Sequence, residues 1–406
     1  MKILHTADWH LGKRLDSFAR LPEQVEVLDE ICGIADKEDV DAVIVAGDLF
    51  DSVNPPIEAI ELFYRALKRL SCDGSRLVVA IAGNHDSPDR IESPDPLARE
   101  CGIVFAGYPN TEVPAFTLDS GLGVVKSEPG FVEFSLPGCD ENLRILLTPY
   151  ANEVRLKTFL GYEDTEEELR QVLADRWQKL ADMYCDDKGV NVLASHLFVV
   201  GRGEPQPEEP DDEKPILHVG GAQVVYTDNI PLEIQYTALG HLHRKQLMSK
   251  GDRLVAYSGS PVSYSFAESN QTKYVLIVEA AAGEKASVKE VELAGGKKLL
   301  RKKLVGVDAA VEWLSENTEA LVELTVVSDT YLTGEDRKRL FEVHSGIISI
   351  IPEVLNEDVL SKSGKASIDL TQSMEELFKE YFVYKQGQEP NESIMSLFKE
   401  VIAEDK

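Results

Sequence analysis

Through its first hundred positions the chain sets short, wholly apolar runs between amphipathic stretches. Ala42-Val-Ile-Val-Ala46 is apolar on both alternations, as a parallel strand covered on both faces requires, and the run from Leu77 to Ala82 repeats the pattern. Residues 2 to 7 read as a shorter strand of the same kind. Between these runs, Val25, Leu28, Ile31, Cys32 and Ala35 recur at helical spacing, as do Ile57, Ile60, Phe63, Leu67 and Leu70 after the Pro55-Pro56 break. Strand, helix, strand, helix, strand predicts a parallel sheet with right-handed crossovers, hence an α/β fold.

Further along, Arg144 to Pro149 and Val190 to Ala194 read as buried strands around a charged helix from about Glu166 to Tyr184. Residues 201 to 215, GRGEPQPEEPDDEKP, carry no apolar period and are expected to be an exposed acidic loop. Glu233 to Leu239 forms another strand, and Lys273 to Glu279 and Ala286 to Leu293 close the series. From Lys297 a strand (299 to 305), a helix (309 to 316), a strand (320 to 327), a helix (334 to 342) and a strand (347 to 354) predict a small split α/β domain. Two amphipathic helices end the chain, the first opened by a Ser373/Glu376 capping box. The expected division is therefore 1–294, 295–355, a polar linker at 356–367, and a helical pair at 368–406.

Composition narrows the class. With 406 residues there is room for two or three domains, and 43% hydrophobic with 28% charged residues is the balance of a soluble globular chain. No apolar run is long enough to span a bilayer, and the N-terminus lacks the apolar stretch of a signal peptide, so a cytoplasmic location is expected. Five scattered cysteines, Cys32, Cys72, Cys101, Cys139 and Cys185, without a Cys-x-x-Cys pair suggest reduced, packed thiols. The net charge of −29 argues against a generally basic nucleic-acid surface but not against local positive charge from bound metals or a basic partner.

The chemistry sits at the strand ends. Asp8 and His10 follow the first strand, and in extended chain residues two apart share a face. Gly47-Asp48 follows the second, Gly83-Asn84-His85 the third, Ser195-His196 a fourth, and Gly240-His241-Leu242-His243 a fifth, again with two-residue spacing. Any of these alone is ordinary turn or cap chemistry. Together they are hard to reconcile with packing, since an unpartnered buried polar group costs about 1–3 kcal/mol.

Seven ligand candidates, Asp8, His10, Asp48, Asn84, His196, His241 and His243, suit two ions. Dications about 4 Å apart repel by roughly 17 kcal/mol at an effective dielectric of about 20, so a shared anion is needed, and Asp48 is the natural bridge. Mixed oxygen and imidazole donors favour manganese, iron or zinc over magnesium or calcium. Such a pair performs in-line displacement at phosphorus, with His85 the best acid for the leaving oxygen; a further ligand or a helix cap are its other readings.

These residues resemble the calcineurin-type metallophosphoesterase superfamily, whose fold is a two-sheet sandwich with helices on both sides. Within it, DWHLGKRL, GDLFDSVNPP, AGNHDSP, SHLFVVG, ALGHLHRKQ and YSGSPVSYSFAE are similar to the bacterial SbcD nuclease family. The resemblance implies one ion on Asp8, His10, Asp48 and His243, another on Asp48, Asn84, His196 and His241, and His85 as proton donor. It implies manganese-dependent cleavage of DNA, as a 3′ to 5′ exonuclease on duplex ends and an endonuclease on single strands and hairpins, in repair and recombination. It further implies a homodimer bound to an SMC-like ATPase of the SbcC type, a heterotetramer, with 295–355 as a DNA-capping domain and the C-terminal helices as the ATPase contact. The alternative for those helices is that they fold back on the protein's own core. Asp51 stands where some relatives have His, and it is expected to orient a ligand imidazole from behind. Lys13, Arg14, Arg90 and Arg244 flank ligand motifs, where phosphate contact and solvated surface charge are equal readings. His5, His218 and His344 are read as structural.

Two other functions fit less of the chain. A dinuclear phosphodiesterase or phosphatase for small or protein substrates needs the metal core but not the extra domain and helices. A non-catalytic scaffold is expected to lack ligands, and here all seven are present.

Overall fold

A computed structural model of the chain describes residues 1–156, 165–203, 224–250, 253–269 and 271–354, with 376–379, 381, 382, 390, 395 and 398 in the C-terminal stretch. The linker expected at 356–367, the acidic loop beyond Gly203, His218 and most of the two C-terminal helices lie outside the described residues. No helix among the described residues is long and apolar enough to cross a membrane.

The chain divides into two compact units, one of Met1–Arg301 with Glu319–Val322, the other of Lys302–Thr318 with Glu323–Lys406. The first holds two large sheets. One runs in the order Ser287–Glu292, Tyr274–Glu279, Lys2–Thr6, Ala42–Ala46, Leu77–Ile81, Ile103–Ala106; its last four strands are parallel and the first two antiparallel. The other runs Gln246–Lys250, Arg253–Tyr257, Tyr236–Gly240, Val190–His196, Leu143–Thr148, Phe131–Ser135, Gly123–Glu128. The strands apolar on both alternations divide their side chains between layers. Ile3, Ala42, Ile44, Leu77 and Val79 meet Ile145, Leu147, Val192 and Ala238 between the sheets, while Leu4, Val43, Val45 and Val78 face the helices Leu21–Glu38 and Ile57–Leu70. On the far side, Leu146 and Leu193 pack against Leu169, Leu173 and Trp177 of the helix Thr165–Tyr184. A sandwich covered by helices on both sides follows directly from that double patterning.

Register aligns the functional ends. Thr6 lies opposite Val45, Ala46 opposite Ile81, and His196 opposite Gly240. Five parallel strands in two facing sheets therefore end at one rim of the sandwich.

His5 ties the sheets together below that rim. Its Nδ1 is 2.7 Å from the Tyr236 hydroxyl and its Nε2 is 3.2 Å from the Leu239 carbonyl. A carbonyl only accepts, so Nε2 carries the proton and Tyr236 donates to Nδ1. Burial lowers the imidazole to about 3 against a slight upward pull from the Leu239 carbonyl. The unfolded chain takes up that proton near 6.5. Between those values unfolding binds a proton, so the contribution of neutral His5, complete above the unfolded value, is lost as pH falls, by up to about 1.4 kcal/mol per pH unit. Urea unfolding of His5→Gln is expected to lose about 2 kcal/mol less than the wild type between pH 7 and pH 5. An identical pH dependence in the two proteins would contradict this.

The second unit holds the helices Val307–Glu316 and Gly334–Val343, with residues 302–305, 323–328 and 347–354 of a three-stranded sheet of order Leu299–Val305, Leu321–Ser328, Ile347–Val354. His344 is buried, with Nε2 2.9 Å from the Asn317 carbonyl and Nδ1 accepting the Gly346 N–H. Among the described residues both hydrogen bonds of its ring are to backbone, the pattern of a structural histidine.

Candidate metal centre

Three motif glycines explain how the ligand loops come so close. A Cβ on Gly47 would lie 2.1 Å from His196 Nδ1, one on Gly83 2.1 Å from Asp48 Oδ1, and one on Gly240 1.9 Å from the Ala46 carbonyl oxygen. Each glycine leaves the space that another ligand loop occupies, and Gly47 also has a φ of +90°.

The convergence is not that of extended chain. Strand pairing ends at Thr6, and Asp8 and His10 have φ of 54° and 42°; Asp48 and His241 are also left-handed, at 46° and 103°. Such backbone costs of order 1–3 kcal/mol per residue and persists where surrounding bonds over-determine it. Here the Asp8, His10 and Leu11 N–H groups donate to the carbonyls of Gly47, Asp48 and Leu49, zipping the first ligand loop onto the second. The simple alternation expected for Asp8 and His10 is therefore corrected. So is that for His241 and His243: His241 Nδ1 is 3.1 Å from Asn84 Oδ1, whereas His243 Nε2 is 3.0 Å from His10 Nε2.

The side chains form two joined clusters. In one, His10 and His243 bring ring nitrogens together; in the other, His196 Nε2 lies 3.0 Å from Asn84 Oδ1, which also faces His241. Asp48 Oδ2 stands between them, 3.5 Å from His10 Nε2 and 3.3 Å from His196 Nε2. Asp8 Oδ1 accepts the His241 N–H, while its buried Oδ2 has no hydrogen-bond partner among the described residues. Overlapping groups of close donor atoms comprise Asp8, His10 and His243; Asp8, Asp48 and His196; and His10, Asp51 and His85. His196 Nδ1–H donates to the Ala46 carbonyl at 2.8 Å, which turns Nε2 toward the cluster.

Electrostatics suit a cation. Burial pushes Asp8 up to about 7, opposed by His196 and His243. Burial also works to raise Asp48, but the imidazoles of His196, His10 and His85 hold it well below the usual carboxylate range. His10 and His241 are lowered to about 3 by burial, so both are neutral and ligand-competent at physiological pH. His196 rises to about 9 because Asp48 and Asp8 outweigh its burial. Imidazole nitrogens facing one another and an orphaned carboxylate oxygen, all buried, make a donor set that fits a pair of divalent ions.

His85 is half-buried at the edge, its backbone N–H on Asp48 Oδ1 and its Nδ1 2.9 Å from the Asp51 carbonyl. Asp51 Oδ1 lies 3.6 Å from His10 Nδ1 and 3.0 Å from Lys13 Nζ. Arg14 donates to the Ser17 carbonyl, Arg90 to Asn54 Oδ1 at 2.8 Å, and Arg244 is exposed.

Several supports escape a reading of the sequence. Gln24 Nε2 donates to the His10 carbonyl at 2.8 Å and to the Tyr264 hydroxyl at 2.9 Å. Arg155 grips the Gly83 and Asp86 carbonyls, both at 2.8 Å, across some seventy residues of chain that give no local sign of it. Asp86 lies inside the AGNHDSP motif and is the more legible: its carboxylate accepts the N–H groups of Leu49, Phe50 and Gly83, fastening two ligand loops. Asp86→Ala strands three buried donors at about 1–3 kcal/mol each before relaxation, so a loss of at least about 3 kcal/mol is expected in urea unfolding. A loss under about 1 kcal/mol would contradict this role.

Comparison with known proteins agrees with this geometry. The model of the calcineurin-like phosphoesterase family matches residues 1–244. The chain is 37% identical over 412 aligned positions to the SbcD chain of the nuclease SbcCD from Bacillus subtilis, covering 99% of this chain and 97% of that one. The protein of the same name from Rhodobacter capsulatus is 33% identical, covering 70% of this chain and 67% of its own. That of Escherichia coli K12 is 31% identical, covering 83% and 81%. With a dinuclear donor set at the strand ends of a two-sheet sandwich and full-length similarity of this degree, the chain belongs to the calcineurin-like phosphoesterases and, among them, to the SbcD family of nuclease subunits.

Proposed function

We propose that this chain is the metal-dependent nuclease subunit of a complex that cleaves DNA ends and hairpins. The observation that carries the reading is the place of Asp48 Oδ2, within 3.5 Å of a ring nitrogen from each imidazole cluster. In this reading one ion rests on Asp8, His10, Asp48 and His243, the other on Asp48, Asn84, His196 and His241. Bound there, the ions supply positive charge against the phosphate oxygens and acidify the attacking water. The protein's own part is orientation. Asp48 offsets the repulsion between the cations, while Asp86 and Arg155 hold the loops that carry Asp48 and Asn84. His85, tethered through Nδ1 to the Asp51 carbonyl, keeps Nε2 for delivering a proton to the leaving 3′ or 5′ oxygen. Asp51 fixes His10 from behind and engages Lys13.

The mixed oxygen and nitrogen donors support manganese. The full-length similarity to SbcD nucleases supports DNA as substrate, an SMC-like ATPase as partner, a homodimer within a heterotetramer, and a cytoplasmic location. The C-terminal segment is the proposed ATPase contact, and within it Phe378 stacks on Phe398 with ring centroids 3.8 Å apart. Removing residues 366–406 is expected to abolish capture of the ATPase while sparing metal-dependent cleavage; undiminished capture would refute that contact. End-labelled hairpin and blunt duplex DNA with Mn²⁺ test the activity itself. Cleavage of both is expected, whereas hydrolysis of a small phosphodiester with intact DNA ends would favour the small-substrate phosphodiesterase.

A further inference from the structure

His243 is held from behind by a buried ion pair. Glu268 and Lys273, 1% and 9% exposed, lie on the chain that returns past the metal centre after the strand Arg253–Tyr257. Lys273 Nζ donates to the Glu268 carboxylate, to Ser260 Oγ at 3.0 Å and to the His243 carbonyl at 3.2 Å. The Ser260 N–H reaches the same carbonyl at 3.1 Å. Between them, Gly259 has a φ of +76°, and a Cβ there would lie 2.7 Å from the His243 oxygen. Glu268 Oε1 accepts the Tyr264 N–H at 3.0 Å and stands 3.5 Å from His243 Nδ1. The Tyr264 ring packs against both His10 and His243, with centroids 5.5 and 6.0 Å away.

A buried ion pair is a poor way to gain stability, because desolvation offsets most of the attraction and apolar side chains of equal size do as well or better. Packing alone therefore does not account for it. Its geometry does: the Glu268 carboxylate is the charged group 3.5 Å from Nδ1, placed to favour a proton on that nitrogen and so to keep Nε2, which faces His10, for a metal. His10 has the mirror arrangement, with Asp51 beside its Nδ1.

We infer that Glu268 and Lys273 are positioning residues that set the tautomer and orientation of His243 as a metal ligand. Glu268 fixes the ring; Lys273 fixes both Glu268 and the His243 backbone. This rests on the reading that the cluster holds two divalent ions. The test is Mn²⁺ binding to the full chain, by equilibrium dialysis and electron paramagnetic resonance, for the wild type and for the charge-neutral pair Glu268→Gln with Lys273→Met. The expected result is two ions in the wild type, and in the variant about a 10–100-fold weaker affinity for one ion with the other unchanged. Glu268→Gln alone, should the double variant not fold, is expected to weaken the same ion. Nitrogen-15 spectra of the histidine rings without metal are expected to show His243 protonated at Nδ1 in the wild type and at both nitrogens in exchange in the variant. Two ions bound equally tightly by wild type and variant would overturn the positioning role and leave the dinuclear reading standing. Fewer than two ions in the wild type would overturn the dinuclear reading, and this inference with it.

Discussion

Asp48→Asn is expected to fold and to lose both ions together. The amide keeps an oxygen to accept the His85 N–H, which Asp48 Oδ1 now takes at 2.9 Å, so the loop that carries Asn84 and His85 has no reason to move. What disappears is the charge between the clusters. Two dications about 4 Å apart then repel by roughly 17 kcal/mol at an effective dielectric of about 20 with no anion between them. Loss of the carboxylate also removes the main partner that raises His196 to about 9, so that imidazole falls toward its ordinary range. Cleavage of hairpin DNA is expected to drop by at least about 10⁴-fold, about 5.4 kcal/mol in barrier. Equilibrium dialysis with Mn²⁺ and a cleavage assay on the same preparation check this. Two retained ions, or a rate within tenfold of wild type, would show that Asp48 is not the bridge.

His85→Ala is expected to separate metal binding from chemistry. The hydrogen bond of this residue to the cluster is its backbone N–H to Asp48, which alanine preserves, while its ring is tied to the Asp51 carbonyl and stands edge-on to His10 with centroids 4.9 Å apart. Both ions therefore remain, while removal of a positioned general acid slows DNA cleavage by about 10²–10⁴-fold. A p-nitrophenyl phosphodiester, whose leaving group departs without a proton, is expected to lose far less. Loss of an ion would make His85 a ligand, in keeping with its closeness to His10 and Asp51. Equal losses on both substrates would remove it from proton transfer.

The sequence carries the outline of this centre in unequal measure. Runs such as Ala42–Ala46 and Leu77–Ile81 are apolar at every position, so their place between two layers and the ligand residues at their ends are readable locally. The hairpin of Gly123–Glu128 and Phe131–Ser135 is not, because an edge strand with exposed Lys126 mixes polar residues into its pattern. Nor is the four-residue strand Ile103–Ala106, too short to show a period. The left-handed backbone of Asp8, His10, Asp48 and His241 arises from hydrogen bonds to carbonyls and carboxylates far along the chain, which no local propensity reports. Asp86 and Glu268 sit in recognisable motifs, AGNHDSP and YSGSPVSYSFAE, but Arg155 and Lys273 lie outside every motif and reach carbonyls of the ligand loops far along the chain, which only the folded chain brings into view.

The pairing of ions across Asp48 is best tested by diffraction from Mn²⁺-loaded crystals on either side of the manganese absorption edge. Two anomalous peaks about 4 Å apart, one beside His10 and His243 and the other beside His196 and His241, with the Asp48 carboxylate touching both, are the predicted result. A single peak, or two that do not share Asp48, would contradict it.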